Sequence, residues 1–172
     1  MGDPVLVDLL TWLHIFSVVG WFGAALVFMM VIEPALPKLS PQTNGELVLK
    51  VFPRFVRFVE IFASLALIFG ISLALALSNG DLRLFGLGSM SGLYVTIGAS
   101  FGLATYLLVF LLLGPSVMAL GRLVVQMKQN PQQPPPPQFQ SVQERLKFGA
   151  PTAVLLLSLA MAFMVAAAGT GL

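Results

Sequence analysis

The chain has 172 residues, of which 58% are hydrophobic and only 9% are charged. A soluble domain carries about a quarter charged residues, so this composition excludes a water-soluble globule, and the high hydrophobicity also excludes a disordered chain. The net charge of +2 comes from scattered cations that form no basic stripe for nucleic acid. Because cysteine is absent, disulfides, thiolate metal sites and cysteine nucleophiles are excluded as well.

Four apolar runs follow one another along the chain, each close to the roughly 20 residues that an α-helix needs to cross the hydrocarbon layer. Backbone polar groups in lipid must be paired within the segment, and strand alternation is absent, so the runs predict helices. The predicted fold is all-α, an integral membrane four-helix bundle, and residues 1–172 form one transmembrane domain. We expect helices at about residues 4–33, 53–78, 92–114 and 148–169, with an extension of the third helix to residue 127 left open.

Cap and turn residues mark the ends of these runs. Asp3-Pro4 predicts an N-cap followed by proline in the first helical turn. Pro34 ends the first run, and Asn79-Gly80-Asp81 closes the second. Residues 129–140 are polar and rich in proline, which favours an extended cytoplasmic linker.

Lysine and arginine are concentrated between the first and second runs and between the third and fourth. Eight of the nine lie in these two parts of the chain: Lys38, Lys50, Arg54, Arg57, Arg122, Lys128, Arg145 and Lys147. Cytoplasmic segments collect such cations. We therefore expect loops 34–52 and 115–147 to be cytoplasmic, both termini to be extracytoplasmic (N-out/C-out), and the protein to lie in the plasma (inner) membrane.

Small residues four positions apart recur in three of the predicted helices. Such pairs let membrane helices approach closely, so they support a compact bundle. The pairs are Gly20 with Ala24, Gly70 with Ala74, and Gly98 with Gly102.

His14 is the only histidine, and it lies about ten residues, or roughly 15 Å, into the first helix. Helical spacing places Ser17, Val18 and Trp21 on the same face. Polar groups within a bilayer are costly and tend to be functional, and a neutral imidazole is a good ligand for copper, haem iron or zinc. Zinc needs three or four such ligands, which the sequence lacks. The alternative is a histidine that only forms a hydrogen bond between helices.

Two methionines lie in the fourth run at a depth similar to that of His14. Thioether sulfur suits Cu(I), and methionine with histidine also ligates haem. His14, Met161 and Met164 are therefore the candidate metal ligands, with copper or haem b as the cofactor and His14 as its binding residue. The alternative is that both methionines simply fill the core.

A second polar group falls near the inner face: Glu33, Arg54, Arg57 and Glu60. An interfacial ion-pair cluster explains it, since long cations reach toward water, and a proton or ion relay is the sharper alternative. No catalytic triad, HExxH motif, phosphate loop or dinucleotide fingerprint occurs in the sequence, so no catalytic residue is predicted.

Three stretches of the first helix resemble a known family: Trp12-Leu13-His14-Ile15-Phe16, Gly20-Trp21-Phe22-Gly23-Ala24 and Glu33-Pro34-Ala35-Leu36. They are similar to the first helix of CopD-type copper-resistance membrane domains and of the related HemJ-type protoporphyrinogen oxidases. Arg54-Phe55 and residues 145–151 resemble the helix junctions of the same families.

The resemblance implies a four-helix membrane protein that handles copper or haem around His14. CopD-like proteins are associated with copper uptake or handling. HemJ-like proteins bind haem b and oxidise protoporphyrinogen, and their functional first-helix histidine matches His14. Their third-helix lysine has no counterpart here, because no Lys or Arg lies between Arg83 and Arg122. The non-catalytic alternative is a small subunit of a larger membrane complex or of a homo-oligomer, with the lipid bilayer as its other partner.

Overall fold

The computed structural model describes residues 3–78, 80, 85–86, 88–130, 132 and 134–170, without the side chain of Pro41. These residues form four helices long and apolar enough to cross a membrane: α1 (Pro4–Lys38), α2 (Gln42–Leu77), α3 (Met90–Gln129) and α4 (Pro137–Gly169). The part of the chain that the structure describes contains no β-strand. The prediction of an all-α protein with four helices long and apolar enough to span a membrane is therefore confirmed.

The four helices form two hairpins that pack against each other. α1 lies along α2 and α3 lies along α4, while α1 also contacts α4 and α2 contacts α3. One buried cluster fills the middle of the bundle and contains Trp21, Val59, Ala63, Ala66, Val109 and Leu157. A second cluster lies toward the α1–α2 and α3–α4 connections and contains Val48, Phe52, Val56, Val117, Leu120, Leu123 and Val142. We call this end of the molecule the basic end, because the eight cations named above belong to its helices and connections.

The helices are longer at the basic end than the apolar runs predicted. α2 begins at Gln42 rather than 53, and α4 begins at Pro137 rather than 148. α3 continues past Pro115 to Gln129, and the proline-rich connection is correspondingly shorter than 129–140. Segments 34–52 and 115–147, expected as loops, are therefore mostly helical. The reason is amphipathic packing, because these polar extensions bury the apolar residues of the second cluster against one another.

Prolines are accommodated by wider helical turns. Three π-helical segments, Phe28–Ile32, Leu47–Val51 and Val109–Leu113, each end two residues before a proline. Proline has no N–H for the carbonyl four residues back, so a regular α-helix would lose that bond. In the wider register the N–H bonds five residues back, as when Gly114 donates to Val109. This is why Pro34, Pro53 and Pro115 do not end their helices, although the sequence predicted such an end at Pro34.

The predicted start of α1 is present in the structure, whereas the predicted turn after α2 is described only in part. Asp3 is the N-cap of α1 as expected, and its side chain accepts a hydrogen bond from the N–H of Val5 at 3.0 Å. After α2, Gly80 adopts a left-handed φ of 84°, and its N–H donates to the Leu75 carbonyl at 2.8 Å. Asn79, Asp81 and Arg83 lie outside the described residues.

The small-residue pairs mark real helix contacts at three of their glycines. A Cβ on Gly20 would overlap the ring of Phe62 in α2, and one on Gly98 would lie 3.1 Å from the backbone oxygen of Ala160 in α4. Gly70 faces His14. Gly102, in contrast, has no neighbouring atom within 4 Å of a built Cβ. Close approach is therefore needed between α1 and α2 and between α3 and α4.

Candidate ligand site at His14

His14 connects α1 to α2 through a single hydrogen bond. Its Nδ1 lies 2.9 Å from the backbone carbonyl oxygen of Ala66. A carbonyl oxygen can only accept, so Nδ1 must carry the hydrogen and donate it. In a neutral imidazole the other nitrogen, Nε2, then keeps its lone pair. His14 thus forms a hydrogen bond between helices, as the alternative in the sequence analysis expected. Its Nε2 is also available as a nitrogen ligand.

Gly70 supplies the space that the imidazole occupies. A Cβ at this position would lie 2.9 Å from Cε1 and 3.1 Å from Nδ1 of His14. Both distances are shorter than ordinary van der Waals contact, so any larger residue would push the ring. Ala66 and Gly70 lie one turn apart on α2, and together they fix the ring between a carbonyl oxygen and a bare stretch of backbone.

The hydroxyl groups near His14 are occupied by their own helix. Ser17 is 1% exposed and donates to the Leu13 carbonyl at 2.7 Å, while Thr11 donates to Val7 at 2.8 Å. Trp21, 2% exposed, continues the buried face that helical spacing predicted for α1. Within the described residues, no side chain forms a hydrogen bond with Nε2 of His14.

The two methionines show a different set of contacts. Met164 packs against Gly98 of α3, where a built Cβ would lie 3.2 Å from the methionine Cε. Met161 is half-buried on α4. The ring of His14 and the side chain of Met164 thus pack against different helices, and their joint role as ligands stays a prediction.

No group of three or more His, Asp or Glu side chains able to hold a metal ion occurs in the described part of the chain. This agrees with the single histidine of the sequence. A metal at His14 would consequently need its remaining ligands from thioether sulfur, from a porphyrin, or from another molecule.

The inner-face group of Glu33, Arg54, Arg57 and Glu60 does not form ion pairs. The ion pair found among the described residues joins Lys50 and Glu46 at 3.3 Å. Arg54 and Arg57 are exposed, and Arg54 donates to the Lys50 carbonyl at 3.2 Å. No salt bridge among the described residues joins Glu33 or Glu60 to either arginine, so the expected ion-pair cluster is not formed.

Glu60 instead turns toward α3. Its Oε1 would lie 2.9 Å from a Cβ built on Gly114, next to the π-helical segment before Pro115. One turn further along α2, Ser64 donates to the Glu60 backbone carbonyl at 2.8 Å. The hydroxyl of Tyr106 in α3 lies 3.5 Å from Ser64 Oγ. Sequence reasoning missed this interhelical contact between two hydroxyl groups, because it paired Glu60 with the nearby arginines only.

A half-open cavity of about 90 Å³ lies between the four helices, toward the basic end. Trp21 and Phe28 of α1, Phe55 of α2, Thr105 of α3 and Leu157 of α4 contribute to its walls. The lining is almost wholly apolar, since the Thr105 hydroxyl donates to the Phe101 carbonyl at 2.8 Å. His14 is not part of the lining, so the cavity and the imidazole are separate features.

No family model, curated protein or solved structure matches the chain. The resemblance of the first helix to CopD-like and HemJ-like proteins therefore stays an expectation drawn from its residues. Function has to be argued from the contacts of His14 and from the arrangement of the helices around it.

Proposed function

We propose that this protein handles copper or haem within the membrane, with Nε2 of His14 as a nitrogen ligand. The observation that carries the proposal is the hydrogen bond from Nδ1 of His14 to the Ala66 carbonyl. Histidines that bind metals typically donate their other ring N–H to a carboxylate, a carbonyl or water, which fixes the tautomer and raises the basicity of the ligating nitrogen. His14 has this second contact already in place.

The surroundings of His14 favour a group that brings ligands of its own. One imidazole cannot saturate copper or iron, and a porphyrin supplies four nitrogens while it leaves axial positions for side chains. Sulfur from Met161 or Met164 would complete either a Cu(I) site or a haem site. When bound, such a group would supply redox or transfer chemistry, while His14 would hold and orient it.

The test compares the metal and porphyrin content of purified protein with that of two His14 variants. His14→Asn keeps a side-chain N–H near the position of Nδ1 for the Ala66 carbonyl but removes the imidazole, whereas His14→Ala removes both. Wild-type protein expressed with added copper or haem should retain one of them, seen by metal quantification or a Soret band. His14→Asn should lose it while staying folded.

Each alternative outcome has a clear meaning for the proposal. Retention of the same metal or haem by His14→Asn would rule out His14 as the ligand. Wild-type protein that takes up neither copper nor haem would overturn the proposal altogether. Bound haem b would favour a HemJ-like role over copper handling, despite the missing third-helix lysine.

The second candidate is a non-catalytic subunit of a larger membrane assembly or of a homo-oligomer. α1 supports it, because only 11% of its apolar window is buried within the chain, against 22–33% for the other three helices. Trp12 and Phe16 are 73% and 64% exposed on its outer face. Crosslinking from this face in native membranes should capture a fixed partner, and a chain that stays monomeric and unlinked would argue against this function.

A further inference from the structure

A groove of about 360 Å³ runs along the outside of the bundle at the basic end, between α2 and α3. Leu49 and Pro53 line it from α2, and Met118, Gly121 and Arg122 line it from α3. The floor is open because Gly121 has no side chain: a Cβ there would have one near neighbour, Leu49 Cδ2 at 3.9 Å. Arg122 is the one charged residue in the lining.

The groove lies where the apolar parts of both helices give way to charge. Arg122 is the first charged residue of α3 counted from Met90. α3 has 40 residues, so at 1.5 Å per residue it is about twice as long as the ~30 Å hydrocarbon layer is thick. A helix of this length extends beyond the hydrocarbon, and Arg122 belongs to the part of α3 where charge returns.

The electrostatic surroundings of the groove are positive on both helices. α2 carries Lys50, Arg54 and Arg57 together with two acidic residues: Glu46, which pairs with Lys50, and Glu60, whose carboxylate lies beside Gly114 of α3. Arg57 is exposed and lies one turn beyond Pro53, on the same face of the helix. On α3, Arg122 is exposed and Lys128 rests against Gly45. Two unpaired arginines thus border the groove, and no ion pair among the described residues neutralises them.

An apolar floor with cationic ends matches one class of membrane molecule. The acyl chain of a phospholipid would lie on Leu49, Pro53 and Met118, and its phosphate would meet Arg122, whose planar guanidinium can bind phosphate oxygens through two donors. Basic sites between helices at the cytoplasmic surface are typical sites for anionic headgroups. We expect a zwitterionic lipid to bind more weakly, because the positive charge of its headgroup is repelled by the two arginines.

We propose that this groove is a binding site for an anionic phospholipid, whose phosphate is held by Arg122. The site is independent of His14, because it lies on a different helix pair and at the basic end. It therefore does not depend on the proposed copper or haem function.

The experiment uses the full chain in a mild detergent and native mass spectrometry with added lipid. Phosphatidylglycerol and phosphatidylcholine with the same acyl chains are the two probes. Wild-type protein should retain phosphatidylglycerol preferentially. Arg122→Gln should weaken retention roughly fivefold, the effect of one cation near an anionic surface. Gly121→Leu should fill the groove and displace the lipid without any change in charge.

The matched control is Arg145→Gln, which removes an exposed cation of α4 that does not line the groove. Retention by this control should equal that of the wild type. Equal retention of the two lipids, or an equal loss in Arg145→Gln and Arg122→Gln, would overturn the proposal. Displacement of the lipid by inorganic phosphate alone would also contradict it, since the site would then bind free phosphate rather than a phospholipid.

Discussion

Gly70→Ala tests whether His14 is held where the structure places it. The added Cβ would lie 2.9 Å from Cε1 of His14, whereas ordinary contact begins near 3.4 Å. The ring must therefore move by about half an ångström, away from α2. The bond from Nδ1 to the Ala66 carbonyl, now 2.9 Å long, would lengthen by a similar amount and weaken sharply.

The expected cost follows from three contributions. Overpacking costs about 1–3 kcal/mol, and a side-chain hydrogen bond in a membrane protein contributes about 0.6 kcal/mol. Replacing a helical glycine by alanine stabilises the folded protein by roughly 0.5–1 kcal/mol, which offsets part of this cost. Gly70→Ala should thus lower the free energy of unfolding by about 1–3 kcal/mol, measured by denaturant titration in detergent micelles. Gly102→Ala, which meets no atom within 4 Å, is the matched control and should be neutral or stabilising.

A double-mutant cycle separates the clash from other effects of the alanine. In a His14→Ala background the methyl group at residue 70 has no imidazole to displace, so Gly70→Ala should then cost little or nothing. Contacting residues are expected to show such coupling, whereas independent ones add. The same loss in both backgrounds would refute the contact between Gly70 and His14.

Four further outcomes are expected from the same structure. Gly98→Leu should destabilise the protein by about 1–3 kcal/mol in the same denaturant titration, because its neighbour is the Ala160 backbone, while Gly102→Leu should be tolerated. Trp21→Ala should cost about 3–5 kcal/mol, since it enlarges an existing cavity. Glu60→Gln should change stability by less than about 1 kcal/mol, because Glu60 forms no ion pair with any described residue. Single cysteines introduced at residues 3 and 132 of this cysteine-free chain should react with an impermeant thiol reagent from opposite sides of the membrane, residue 132 from the cytoplasm.

The sequence predicted the number and type of helices because each membrane span is a long apolar run. It underestimated their length at the basic end for two reasons. The extensions are polar enough to look like loops, and their apolar residues, such as Val48 and Leu123, matter only once the helices pack together. Pro34 was also expected to end the first helix, whereas a π-helical turn accommodates it, as similar turns do at Pro53 and Pro115.

The candidate site was predictable in part. His14 stood out as the only histidine within an apolar helix, and Gly70 as half of a small-residue pair. Their contact with each other, and the bond from His14 to Ala66, were not predictable, because every residue carries a backbone carbonyl and only the register of α1 against α2 selects one. The groove at Arg122 was hidden for the same reason, since it lies between an extension of α2 that the sequence assigned to a loop and an extension of α3 that the sequence left open.

The state of the two ring nitrogens of His14 tests the central claim most directly. Because the chain has a single histidine, labelling with ¹⁵N-histidine gives signals from this ring alone. The structure predicts that Nδ1 carries the proton and that Nε2 does not, and the proposed function predicts that added copper or haem changes the Nε2 signal first. A proton on Nε2 in the free protein, or an Nε2 signal indifferent to both copper and haem, would contradict the account.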